Sequence, residues 1–259
     1  MVDAKDSLVS PDLVGSRVVR GPDWCWDGQD GSEGTLGTVV SVGEGCEEGT
    51  VIVAWDSGGC GNYRTGGPME KYDLLVYDNA QTGVCQAGTE CESCHESPVL
   101  GFCWFCCTCR PGGSCVLCSR CYMAGAHDLT HVFSRRCFGP GTSTLLVPSR
   151  SESRSVQSKG IFANAVVQPG ICWEDQHQGR NFRERTGITD PNPVGDVIAV
   201  ESYKDIFGRC MARVRWRGAG DFEDIHRVGY KGQVDLSAVQ CASNGPYYPD
   251  HLPRLAVST

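Results

Sequence analysis

The sequence predicts a mostly β chain of small antiparallel units set around a metal-stabilised segment, and three observations predict it. Residues 15–83 hold five short apolar strands punctuated by glycine turns. Cys91 to Phe133 lays out four pairs of Cys or His at metal-ligand spacing. The composition, with 33 glycines, 21% charged and 40% hydrophobic residues in 259, suits a folded, loop-rich β chain.

Residues 1–14 are polar and are expected to be mobile. Val18 and Val19 then open a strand that turns at Gly21-Pro22, with Trp24 and Trp26 at alternate positions beyond it. Gly28, Gly31, Gly34 and Gly37 punctuate a turn before the strand Thr38–Val42. VIVAWDSG alternates Val51, Val53 and Trp55 against Ile52, Ala54 and Asp56, which aims Trp55 at a core. Asp56–Gly61 turns into NYR, and YDLLVYD closes a small antiparallel barrel.

The stretch 86–136 carries Cys91/Cys94, Cys106/Cys109, Cys118/Cys121 and His127/His131. Each C-x2-C turn presents two thiolates to one ion, and H-x3-H aims two imidazoles at one point. Four bidentate pairs fill two closed tetrahedral sites, which are structural because a catalytic zinc keeps a position for water. Spacing alone lets the pairs share two ions in three ways. Cys115 also forms a C-x2-C pair with Cys118, so the third pair is either Cys115/Cys118 or Cys118/Cys121. A disulfide or redox reading finds neither a secretory signal nor a βαβ pattern to support it. A segment this short buries too little apolar surface to fold alone, and structural zinc contributes about 10–16 kcal/mol in small fingers.

The remaining eleven of 17 cysteines are expected to be mostly small buried apolar residues. Pro111–Gly113 reads as an insertion, and 137–159 as a Ser/Arg-rich linker too polar for a core. The formal charge of −8 argues against nucleic acid, which needs clustered Lys and Arg. No window approaches the ~18 apolar residues of a membrane span, so membrane insertion is not expected. MVDAKDSLVS lacks a signal-peptide core, and a reducing, cytoplasmic setting is expected. No G-x-S-x-G, P-loop or H-E-x-x-H is present, and the spare thiols with His95, His177, His226 or His251 match no nucleophile setting.

The order of the pairs, with GFCWFC before the second and CYM after the third, resembles a ZZ-type zinc finger. That resemblance implies a cross-brace, with one zinc on Cys91, Cys94, Cys118 and Cys121 and the other on Cys106, Cys109, His127 and His131. Cys103, Cys107 and Cys115 depart from the family pattern. Residues 15–83, reading RVVRGPDW, QDG, GTV, then NYR and YDLL, resemble the mind bomb/HERC-type domain, an SH3-like barrel. Together the two resemble the N-terminal region of mind bomb-type E3 ubiquitin ligases, which runs barrel, ZZ finger, barrel. The fold class expected is therefore mostly β, with two SH3-like barrels flanking a zinc-stabilised cross-brace finger.

A second, divergent copy answers that expectation over 160–242. Val166-Val167 answer Val18-Val19, Trp173 answers Trp26, Trp216 answers Trp55, Arg227 answers Arg64, and Asp235-Leu236 answer Asp73-Leu74. No equivalent of Trp24 is read there, Arg20 becomes Gln168, and NFRERTGITDPNPVG is taken as a loop extension. Residues 243–259 are expected to strap the second barrel.

The resemblance implies a substrate-recognition module holding peptide tails, in that family the cytoplasmic tails of Notch ligands. The alternative is a free-standing ZZ-type reader of basic or N-terminal tails through Glu90, Glu92, Glu96 and Asp128, without a link to ubiquitin. The RING fingers that carry ligase activity in that family are not in this sequence, and the chain alone is expected to build no ubiquitin chains. Arg20, Trp24, Trp26, Asp30, Tyr63 and Arg64 are the candidate peptide-binding residues, being types that anchor interfaces. Their decay in the second copy predicts that Arg64→Ala weakens binding while Arg227→Ala does not. Loss of a ligand such as Cys106 is expected to unfold the finger and leave both barrels standing.

Overall fold

The β-branched and aromatic runs form strands where the reading places them. The computed structural model describes residues 7–9, 13–43, 45–109, 115–137, 143–174, 178–204, 206–220 and 222–257. The Pro111–Gly113 insertion lies outside them. The first sheet runs in the order Ser7–Val9, Arg254–Ala256, Leu74–Asp78, Arg17–Arg20, Gly37–Val42, Thr50–Trp55, Cys60–Gly66, Lys71–Tyr72. Lys71–Tyr72 and Leu74–Asp78 are neighbours in sequence but far apart in that ladder, so the sheet must curl on itself about Asp73. Val18, Val39, Val51, Val53 and Trp55 line its buried face.

The second sheet has the order Glu223–Arg227, Phe207–Trp216, Gly195–Tyr203, Val166–Pro169, Leu236–Gln240. This repeats the middle five strands of the first, and neither ladder closes among the described residues. Between them, Val116–Cys118, Cys103–Cys106, Phe133–Cys137 and Ser143–Val147 form the finger's own sheet, with a short helix over Ser119–Met123. The chain is mostly β, as expected.

Pairing corrects the register between the copies. Val18 faces Gly37, and Val167 faces Gly195. A Cβ on Gly37 would meet Val53 and Trp55, and one on Gly195 would meet Val214 and Trp216, so these two glycines are counterparts. Val167 therefore answers Val18. Trp24 N–H donates to the Gly21 carbonyl, and Trp173 N–H donates to the Gly170 carbonyl. Trp173 is thus the counterpart of Trp24, and the tryptophan missing from the second copy is Trp26. The expected pairing failed because an apolar doublet and a lone tryptophan leave the register open by one or two residues, whereas backbone hydrogen bonds fix it.

Four further expectations change. Ser7–Val9, inside the supposedly mobile start, pairs in parallel with Arg254–Ala256. The supposed linker supplies Ser143–Val147 to the finger sheet and Val156–Gly160 to a ladder with Ala242–Tyr247. It can do so despite its polarity because Val147 and Val156 are buried and Arg150 satisfies the Tyr122, His127 and Asp128 carbonyls. The loop extension contains the helix Gln178–Thr186, whose Phe182 packs on Trp216 at 4.8 Å. The C-terminal strap lies on the first sheet, where Tyr247, Leu252 and Leu255 join one apolar core with Val18, Trp55 and the finger's Trp104 and Tyr122. The second sheet keeps a separate core around Val214 and Trp216.

The spare cysteines are more exposed than expected. Cys103, Cys115, Cys172 and Cys210 are buried, whereas Cys25, Cys60, Cys85 and Cys107 are exposed and Cys46 and Cys241 half-buried.

Candidate metal centres and recognition groove

Local turns bring the Cys and His side chains into two groups. The ligand atoms of Cys91, Cys94, Cys118 and Cys121 lie within 4.8 Å of one another, as do those of Cys106, Cys109, His127 and His131. The first and third pairs thus meet, and the second meets the histidines. Cys121, in the middle of the short helix, stands in the first group, while Cys115 stands outside both.

The donor sets fit zinc. Cys94 and Cys118 sulfurs are 3.7 Å apart, against an edge of about 3.8 Å for a tetrahedron with ~2.3 Å metal–sulfur bonds. In the second group Cys109 Sγ lies 3.2 Å from His127 Nε2 and 3.3 Å from His131 Nδ1, and Cys106 Sγ 3.6 Å from His131 Nδ1. Backbone N–H groups support the sulfurs, from Cys118 to Cys91 Sγ and from Cys109 to Cys106 Sγ. Burial pushes the Cys118 and Cys121 thiols up, so such a set ionises together only around a cation. Burial also opposes ionisation of Cys94, but the Glu96 N–H and Arg120 outweigh it and bring that thiol down to about 7. Burial and the neighbouring His131 hold His127 below its ordinary value, in the neutral form a ligand requires.

The six candidate peptide-binding residues divide. Tyr63 and Asp30 are buried at 1% and 0% exposure and cannot meet a ligand directly. Tyr63 accepts from Trp55 Nε1 at 2.8 Å, and Asp30 takes both Arg20 Nε and Nη2 at 2.6 Å. Arg64 donates from Nε and Nη2 to the buried Asp73, which also accepts from Trp26 Nε1. These contacts brace the first sheet. Arg20 and Trp24 remain at the surface, with the guanidinium 5.2 Å over the Trp24 ring and the indole stacked on Tyr63.

Both border a groove of about 520 Å³ between the first sheet and the strap. Tyr247, Arg254, Glu33 and Asp250 complete its walls. No sequence pattern shows this groove, because one wall comes from the strap residues Tyr247 to Arg254, far along the chain from Arg20 and Trp24. Among the described residues Arg254 forms no salt bridge, although its charge reaches Asp23, and its guanidinium lies 5.2 Å over the Tyr72 ring. Of the finger's four acids, Glu96 pairs with Arg209 and Glu90 meets His95, Asp128 accepts from Thr130, and Glu92 is exposed. No described helix is long and apolar enough to cross a membrane.

Residues 15–78 match the family model Mib_herc2. The chain is 38% identical over 242 residues to the E3 ubiquitin-protein ligase mind-bomb of Drosophila melanogaster, covering 93% of this chain and 18% of that protein. It is 38% identical over 246 residues to the E3 ubiquitin-protein ligase MIB2 of Gallus gallus, covering 93% of this chain and 24% of that one. A shorter match, 48% identical over 63 residues, joins 24% of the chain to 1% of the E3 ubiquitin-protein ligase HERC2 of Homo sapiens. The chain thus spans under a quarter of the length of each.

Proposed function

We propose, from the premise that the chain is a mind bomb-type region with a Mib_herc2 domain at residues 15–78, that it is the zinc-stabilised recognition module of an E3 ubiquitin ligase. Its task is to hold a peptide tail, by family resemblance the cytoplasmic tail of a Notch ligand. Two zinc ions serve structure, each enclosed by four protein ligands.

The groove between the first sheet and the strap carries this reading. Trp24 offers aromatic surface for an extended segment, and Arg254 offers a charge for a carboxylate on it. A reader of basic tails would draw on the finger's four acids, and two of them, Glu90 and Glu96, already have imidazole or cationic partners.

Fluorescence titration of labelled Notch-ligand tails and of basic N-terminal peptides tests it. The Notch-ligand tail is expected to bind, and Arg254→Ala to weaken it by about 1–2 kcal/mol, as for an interface anchor. Arg215→Ala, exposed on the second sheet, serves as the control. Binding of the basic peptides alone would overturn the reading in favour of a ZZ-type reader.

A further inference from the structure

We propose that Cys115 is a positioning residue for the second metal site, its sulfur taking the Nδ1–H of His127 and so committing Nε2 to the ion. This rests on the zinc reading above. The geometry of His127 carries it. One ring nitrogen, Nε2, faces the ligand group, 3.2 Å from Cys109 Sγ and 3.0 Å from His131 Nδ1. The other, Nδ1, faces Cys115 Sγ at 3.5 Å. An imidazole that ligates through one nitrogen carries its proton on the other, and whatever receives that proton fixes both tautomer and ring plane.

Cys115 is placed to receive it and to stay where it is. It is 5% exposed, and its carbonyl accepts the Cys106 N–H at 3.0 Å, so it is locked to the strand that ends in a ligand of the same site. The Glu92 carboxylate also lies within interacting reach of its thiol. Glu92 is held in turn by its own N–H to the Val116 carbonyl at 2.8 Å. The result is a carboxylate–thiol–imidazole chain that starts in the Cys91/Cys94 turn and ends at the other site. A carboxylate or carbonyl usually takes the outer N–H of a metal-bound histidine; here a thiol stands in that position, with the carboxylate one step further out.

Zinc affinity of the full chain, measured by competition with a chromophoric chelator, tests the assignment. Cobalt(II) spectra and the ¹⁵N shifts of the His127 ring are recorded beside it. Cys115→Ala should weaken the second site about 10–100-fold while two ions still bind. Cys115→Val should do the same with the cavity filled, and Cys115→Ser, which restores an acceptor, should recover most of the loss. The cobalt bands of the all-thiolate first site report that each variant is folded. Unchanged affinity and an unchanged His127 Nδ1–H signal in both apolar variants would overturn the proposal. Loss of one ion together with one thiolate in the cobalt spectrum would overturn it too, making Cys115 a ligand. A wild-type chain that binds no zinc would sink the metal reading and this inference with it.

Discussion

Arg64 and Arg227 hold the same place in their two sheets. Each uses Nε and Nη2 on a fully buried aspartate, Asp73 or Asp235, whose carboxylate also accepts the arginine's own backbone N–H. A difference between them in ligand binding, expected from the unequal decay of the copies, has no footing in this geometry. Removing either cation leaves a buried carboxylate uncompensated. We therefore predict that Arg64→Ala and Arg227→Ala each cost about 3–5 kcal/mol in denaturant unfolding, and that Lys does not restore a forked contact. Equal stability of wild type and both variants would refute this. The matched Arg and Asp positions were legible in the sequence, since both copies keep them. Their partnership was not, because nothing local tells a bracing arginine from a binding one.

At the scale of elements the strap matters most. NGPYYPDHLPRL reads as extended from its prolines, but the surface it crosses depends on long-range pairing that no local pattern encodes. Its anchor is His251, whose Nδ1 meets the Tyr122 hydroxyl at 2.8 Å and whose Nε2 meets Ser153 Oγ at 2.7 Å. Tyr248 stacks on the ring and Asp250 lies 3.8 Å from it, while the Arg135 guanidinium donates to the His251 carbonyl. Burial brings the imidazole down to about 4 from an ordinary 6.5, with Arg150 and Arg135 adding to the effect and Asp250 opposing it. Between those values the unfolded chain binds a proton that the folded chain does not, so stability falls as pH drops from 6.5 towards 4. The shift is worth at most about 3 kcal/mol. Urea midpoints between pH 7 and 4.5 should accordingly fall more steeply for wild type than for His251→Gln. The thiols of the two candidate metal groups are common to both proteins and cancel in the comparison. Parallel slopes would remove His251 as the source.

For the whole molecule, the order of the modules was legible, because turn glycines and Cys/His pairs are local signals. How the modules share a core was not. The sequence reads as beads, with a finger that can unfold while both barrels stand. The structure instead puts Trp104, Tyr122 and Phe133 of the finger into one apolar cluster with Trp55, Leu75 and Val76 of the first sheet and Tyr247, Leu252 and Leu255 of the strap. The second sheet buries Val214, Trp216 and Phe182 in its own cluster. It meets the rest through polar contacts, among them Arg209 on Asp78 and Glu96 and the Ala238 N–H on the Asp56 carbonyl, and through the close approach of Gly208 to Ala80 and Leu100. Structural zinc contributes about 10–16 kcal/mol per site in small fingers, comparable with the whole stability of a domain, about 5–15 kcal/mol. Stripping the ions should therefore undo the finger and, through the shared cluster, the first sheet and strap as well. Hydrogen exchange before and after chelation should show protection lost together in Arg17–Arg20, Leu74–Asp78, Cys103–Cys106 and Arg254–Ala256. Phe207–Trp216 should keep its protection, because its cluster contains no residue from the finger. Exchange confined to the finger, with Arg17–Arg20 still protected, would show that the beads are real and that the shared cluster is only contact between independent folds.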